Sequence, residues 1–255
     1  MNEEKLFHLQ IPKSIKVKYA ILPGDPNRVS KIAAYLDDSH FLISNREYTS
    51  YIGSLCGEKI LVTSTGIGGA SAAIALEELH MLGVNTIIRV GTCGGMQESV
   101  QSGDLVIATA AVRAEGTSKE YAPIDFPATA NFNITVALVE AAKNLNERFH
   151  TGIVHSKDSF YGQHNPASMP ISYELQNKWN AFIKCGVLAS EMETAALFTV
   201  SAVRKIRAGS ILHAIWNQER SKSLGDNSQN INTENAVITA VEALKQIITN
   251  DKLKV

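Results

Sequence analysis

Short β-rich runs at residues 17–22, 60–65, 86–90, 104–112 and 208–216 are each bounded by glycine, proline or aspartate. They alternate with segments at 71–82, 132–145, 192–203 and 236–248, in which apolar residues recur at spacings of three and four. Several of the runs are apolar on both faces, so helices must cover both sides of the sheet they form. This order specifies an α/β fold, a mixed central β-sheet flanked by helices, in which ligands sit at the carboxyl ends of strands. With 255 residues, 45% of them hydrophobic, the chain can bury one full core. It shows no repeat, low-complexity tract or linker-like shift in composition, so residues 1–255 read as a single domain. Residues 162–170 and 219–229 are polar and irregular, and long enough to form mobile flaps.

Charge narrows the partners. Lys plus Arg number 24 and Asp plus Glu 25, a net charge of -1, so no surplus of positive charge exists to hold a phosphate backbone and nucleic acid is excluded as a partner. No apolar run approaches the ~18 residues of a membrane helix. The start Met1-Asn2-Glu3-Glu4-Lys5 lacks the basic and apolar regions of a signal peptide, so a cytoplasmic address without membrane contact is expected. Cys56, Cys93 and Cys185 are odd in number and far apart, and are expected to be reduced core thiols. None of the seven histidines forms an H-x-x-x-H pair or joins acids at metal spacing, so no metal centre is expected.

Four segments carry chemistry. The first strand runs into Pro23-Gly24-Asp25-Pro26-Asn27-Arg28, followed by a helical segment to about Leu36. Gly24 permits close approach of a ligand, the helix start offers free amides, and Arg28 adds a charge, although a plain strand-to-helix turn has the same appearance. The run Thr86 to Val90 contains Arg89, and a buried guanidinium must meet an anion, whether a structural carboxylate or a ligand. Thr92 follows beside Gly94 and Gly95. With Arg46, these arginines suit a small dianion such as inorganic phosphate, because guanidinium matches its oxygens in a bidentate manner. In Gly66-Ile67-Gly68-Gly69-Ala70-Ser71 the third glycine of a dinucleotide fingerprint is Ser71, so the segment reads as a glycine-rich pocket floor. Glu191-Met192-Glu193 opens a long apolar helix; its carboxylates suit either a ribose diol or the helix dipole. No G-x-x-x-x-G-K-[ST] loop and no G-x-S-x-G elbow is present.

Together with Phe7-His8-Leu9, Ser44-Asn45-Arg46-Glu47-Tyr48, Ser64 to Gly69, Arg89 to Gly95 and Phe160-Tyr161-Gly162-Gln163, these segments resemble the nucleoside phosphorylase family, and within it the branch that acts on uridine. The likeness covers nearly the whole chain. It implies phosphorolysis of uridine to uracil and ribose 1-phosphate in pyrimidine nucleoside salvage, a pentosyl transfer with inorganic phosphate as co-substrate and no cofactor. By similarity, Gly24, Arg28, Arg89 and Thr92 hold phosphate, while Arg46 and His8 reach in from a neighbouring subunit, His8 towards the sugar 5′-hydroxyl. Met192 and Glu193 match ribose-binding positions, and Phe160 and Gln163 match groups around the base. The resemblance implies a homo-oligomer whose active site is shared across a dimer, in a hexamer built as a trimer of dimers. Glu47, Ile67 and Ser71 match positions that hold potassium at the dimer interface in some relatives.

Purine-specific relatives usually place an aspartate after the last core strand, where this chain reads Ile215-Trp216-Asn217-Gln218, which favours a pyrimidine. Two positions depart from the pyrimidine pattern. Asn165 and Gln218 stand where many members of the uridine branch carry arginine, so either Arg220 restores a donor to the base or the pocket takes a different base, a purine or a deoxypyrimidine nucleoside. Three phosphate-facing arginines argue against a hydrolase on this fold. They argue equally against a non-catalytic nucleoside-binding homologue, which would not need a site for the nucleophile.

Overall fold

The computed structural model describes residues 4–253. Its strands are β1 (Tyr19–Pro23), β2 (Asp37–Asn45), β3 (Tyr48–Leu55), β4 (Glu58–Thr63), β5 (Thr86–Gly95), β6 (Leu105–Ala114), β7 (Ala128–Thr129), β8 (Phe149–Lys157), β9 (Ala189–Glu191) and β10 (Arg207–Asn217). Its helices are α1 (Pro26–Ala33), α2 (Gly69–Met81), α3 (Thr117–Tyr121), α4 (Phe132–Asn144), α5 (Phe160–His164), α6 (Ser172–Lys184), α7 (Thr194–Val203), α8 (Gln218–Leu224) and α9 (Glu234–Lys252). The five expected strands and four expected helices are all present, with ends shifted by a few residues. The α/β reading holds, with one mixed sheet flanked by helices.

The strands run in the order β10-β6-β8-β9-β5-β1-β4-β3-β2, and β10 also pairs with β5. The sheet therefore closes on itself through β5, β10, β6, β8 and β9, leaving β1 to β4 as a wing. One apolar cluster, with Leu76, Leu79, Leu197 and Phe198, packs α2 and α7 on one face. The other, with Ile32, Leu138, Val241 and Leu244, packs α1, α4 and α9 on the opposite face.

Local sequence sets the helix starts near the site. Asp25 caps α1 by accepting from Asn27 N, with Pro26 in the first turn, and Asn217 caps α8 by accepting from Glu219 N and Arg220 N. The two expected flaps are more ordered than their composition implies. Residues 162–170 contain the end of α5 and a 3-10 turn at Pro166–Ser168, and 219–229 begins inside α8. The cysteine reading needs correction: all three thiols are free, but only Cys93 is buried, while Cys56 sits in a tight turn and Cys185 caps α6, both exposed. Among the described residues no helix is long and apolar enough to cross a membrane.

Candidate active site

Strand register creates the cleft. On one side β5 pairs with β1 as far as Pro23 opposite Val90, and resumes pairing with β9 only at Gly94 opposite Ser190. Gly91, Thr92 and Cys93 are left without a strand neighbour on that side, at a switch point just past the carboxyl end of β1. Arg28 reaches into the gap and donates from Nη1 to the Val90 carbonyl at 3.1 Å. A cavity of about 900 Å³ opens there, lined by Gly24, Arg28, Arg89, Thr92, Met192 and Glu193 among others. Gly66 and Ile67 also line it, as expected of a glycine-rich floor.

Arg89 is 3% exposed. Its Nη2 donates to Glu193 Oε2 in a short contact and to Glu191 Oε2 at 3.2 Å, while its Nε has no partner. A buried arginine is expected to meet an anion, and here the anions are the carboxylates of Glu191 and Glu193, while the residue also lines the cavity. Gly91 is required here, because a Cβ would lie 2.7 Å from Arg89 Nη2. Burial and the positive charge of Arg89 together pull Arg28 below the usual guanidinium range. Two cations sharing one wall favour an anion between them.

The two carboxylates divide their tasks. Glu191 accepts from Glu193 N at 2.9 Å, from Thr194 N at 2.9 Å and from Thr194 Oγ1 at 2.8 Å, so it caps α7. Glu193, which lines the cavity as Glu191 does, accepts from Gly68 N at 2.6 Å, where the backbone φ is 96°. Burial, outweighing Arg89, pushes the Glu193 carboxyl up.

Phe160 and His164 line the same cavity, their rings 4.3 Å apart. Beyond them a second cavity, of about 960 Å³, shares Lys157, His164 and Trp216 with the first and continues past Gln163 and Gln218 to the apolar face of α6, Leu175, Trp179 and Phe182. Gln163 Oε1 accepts from Ser190 Oγ at 2.8 Å, which leaves its amide nitrogen free to donate. Gln218 Oε1 is buried without a partner.

Four expected residues lie elsewhere. Asn165 is exposed and lines neither cavity. Arg220 also lines neither, because its Nε is held by Asp226 Oδ2 at 2.8 Å and its Nη1 by the Glu98 carbonyl at 2.7 Å. The expectation that Arg220 restores a donor to the base is not met. His8 and Arg46 sit on the outer surface beside one another: Asn45 Nδ2 donates to the His8 carbonyl at 2.7 Å, and His8 Nδ1 lies 2.7 Å from Glu78 Oε1. Neither lines either of these two cavities.

Among the described residues no cluster of His, Cys, Asp or Glu is arranged to hold a metal ion. Ser71 Oγ donates to the Ile67 carbonyl at 3.2 Å, and the Glu47 side chain packs against Gly66, so these three groups are neighbours.

Residues 18–250 match a family model described as the phosphorylase superfamily. The chain belongs to that superfamily. Among its members, a uridine phosphorylase of Treponema pallidum (strain Nichols) is 51% identical over 245 residues, covering 96% of this chain and 95% of that protein. A uridine phosphorylase of Escherichia coli (strain K12) is 38% identical over 253 residues, covering 97% of this chain and all of that one. A guanosine phosphorylase of Halorubrum lacusprofundi is 41% identical over 204 residues, covering 80% of each.

Within this superfamily member, residues that sequence reasoning passed over also line the site. Lys157 ends β8, 8% exposed, and donates from Nζ to Ser190 Oγ at 2.9 Å. His155, two residues before it, lies 3.2 Å from the same hydroxyl, and burial with the Lys157 charge lowers it to about 4, so it is neutral. The available signal was a lysine at a strand end, three residues before Phe160.

Proposed function

We propose that the protein cleaves uridine by phosphorolysis, giving uracil and ribose 1-phosphate. The observation that carries this reading is the pair of guanidiniums on one cavity wall, half-buried Arg28 and buried Arg89, with the Glu193 carboxylate alongside. Full-length similarity to uridine phosphorylases supplies the base.

In this mechanism Gly24, Arg28, Arg89 and Thr92 hold hydrogen phosphate, and Glu193, seated beside Met192, accepts from the ribose 2′ and 3′ hydroxyls. A phosphate oxygen forms a bond to the anomeric carbon as the bond from that carbon to the base nitrogen breaks. The electron pair leaves with uracil, spreads over its carbonyl oxygens, and takes up the proton that phosphate brought. Phosphate stabilises the developing positive charge on the sugar, and donors at the base end stabilise the negative charge on uracil. Phe160 and the free amide of Gln163 flank the base. The protein is a pentosyltransferase in this reading, acting in the cytoplasm.

The minimal unit proposed is a homodimer, within a hexamer, in which His8 and Arg46 complete the site of the neighbouring chain. Their position on the outer surface supports this, as does the exposure of Phe7 (78%) beside His8 and of Ile67 (79%) at the cavity. A hard cation takes about six oxygens or more. Glu47, Ile67 and Ser71 would supply half a potassium site, completed by the same residues of the second copy.

Two observations favour a second reading. The guanosine phosphorylase relative and the second cavity, continuous with the first, suit a purine as the larger base. The test is release of free base from uridine, thymidine, guanosine and inosine, each with and without phosphate. Phosphate-dependent uracil release is expected; release from guanosine or inosine alone replaces uridine with a purine, and release without phosphate overturns phosphorolysis.

A further inference from the structure

Lys157 is a buried cation that the reading above does not use. Its ammonium lies where the two cavities meet, and it makes one hydrogen bond, to Ser190 Oγ. Among the described residues no carboxylate lies within ion-pair distance of it, so two of its three N–H groups are left without a protein acceptor. A buried ammonium in that condition is costly unless an anion arrives to meet it.

Its position decides which anion. Arg28, on α1, and Arg89, on β5, line the first cavity and not the second, whereas Lys157 lines both, with its Nζ over the ring of Phe160, 6.0 Å from its centre. Ser190 Oγ accepts from Lys157 and donates to Gln163 Oε1, so the ammonium and the free amide of Gln163 belong to one hydrogen-bonded row. Phosphorolysis drives an electron pair into the departing base, and Asn165 and Arg220 contribute nothing to either cavity.

We propose that the Lys157 ammonium donates to a carbonyl oxygen of the base and stabilises the negative charge that the base gathers as it leaves. The inference rests on the phosphorolysis reading and names the cation of its base end. Groups facing the ammonium are Glu191 at the end of β9, Glu193, Cys93 of β5, His155 of β8 and His164 of α5. Burial lowers Lys157 to about 8, with Glu191, Glu193 and Cys93 opposing the shift. It is therefore protonated at neutral pH, and its contribution is lost as pH rises through about 8.

The test compares uridine with 5-fluorouridine, whose base leaves more readily because fluorine withdraws electrons, at mildly acid pH where both nucleosides are neutral. Removing one donor aimed at developing charge costs about a hundredfold or more. K157M is expected to lower kcat/KM for uridine by about that factor, to lower it much less for 5-fluorouridine, and to leave KM for phosphate unchanged. K157R is expected to retain part of the rate and to move the high-pH limb of the wild-type profile upward. That limb, near pH 8 with uridine, is read on the wild-type protein and needs no variant. Equal losses for the two nucleosides, or a wild-type profile without the limb, overturn the role of Lys157 while the phosphorolysis reading stands. Absence of phosphate-dependent uracil release from the wild type removes that reading and this inference with it.

Discussion

Arg28 offers the cleanest separation of ligand binding from folding. Among the described residues its guanidinium makes one hydrogen bond, to the Val90 carbonyl, and pairs with no carboxylate, while sharing its wall with Arg89. In R28A the lost hydrogen bond costs about 1 kcal/mol. Removal of a half-buried cation beside another offsets that cost, so unfolding in phosphate-free buffer is expected to change by no more than the few degrees that about 1 kcal/mol represents for a chain of this size. Phosphate binding behaves differently. A hydrogen bond to a charged partner contributes about 1.5–3 kcal/mol, and about 1.4 kcal/mol is tenfold in affinity, so KM for phosphate should rise about ten- to a hundredfold. At a phosphate concentration about 100 times the wild-type Kd, binding stabilises the wild type by about 2.7 kcal/mol. The same concentration only equals a Kd raised about a hundredfold and stabilises R28A by about 0.4 kcal/mol. Thermal unfolding with and without phosphate, alongside KM, reads both quantities. A wild-type phosphate shift in R28A refutes the assignment of this arginine.

Arg89 should behave in the opposite way: R89M leaves Glu191 and Glu193 buried without their guanidinium, and a loss of about 3–5 kcal/mol is expected in urea unfolding. A variant as stable as wild type would show that the ion pairs do not form. E193A should depress kcat/KM for ribosides about tenfold more than for 2′-deoxyribosides, since the deoxy sugar has already lost one hydroxyl contact; equal losses remove the diol role. If His8 serves the neighbouring site, mixing H8A with R28A subunits regenerates sites with both wild-type residues, and activity should exceed that of either variant alone after subunit exchange. No recovery would place His8 outside the active site.

The legible parts of this chain are those whose sequence signal is local. Strands β1, β4, β5, β6 and β10 are apolar on both faces because helices cover both, and α2, α4, α7 and α9 carry core residues at helical spacing. Strand β2 escapes notice because it lies at the sheet edge, begins Asp37-Asp38-Ser39-His40, and buries none of its residues. Helix α6 buries no residue in the core; its apolar side, with Leu175, Trp179 and Phe182, faces the second cavity instead. A stripe that lines a cavity has the same spacing as one that meets a core, but too few apolar residues to stand out. Lys157 is hidden for a related reason, since its contacts include Ser190, which it meets only in the folded chain.

Arg89 shows how far such reasoning reaches. Its neighbours Ile87, Ile88 and Val90 require that it be buried, and burial requires an anion, but the sequence leaves two sources open. The carboxylates are one source, and they do not exhaust the residue, because the guanidinium has five donors and Glu191 and Glu193 share only one of its nitrogens. The carboxylates keep the charge tolerable, while the buried Nε has no partner among the described residues. A fully satisfied arginine here would stabilise the fold and bind nothing; an unpaired one would bind anions strongly and would not stay buried. The split between two carboxylates and an unpartnered nitrogen is an arrangement in which one residue holds the strand without spending all of its donors.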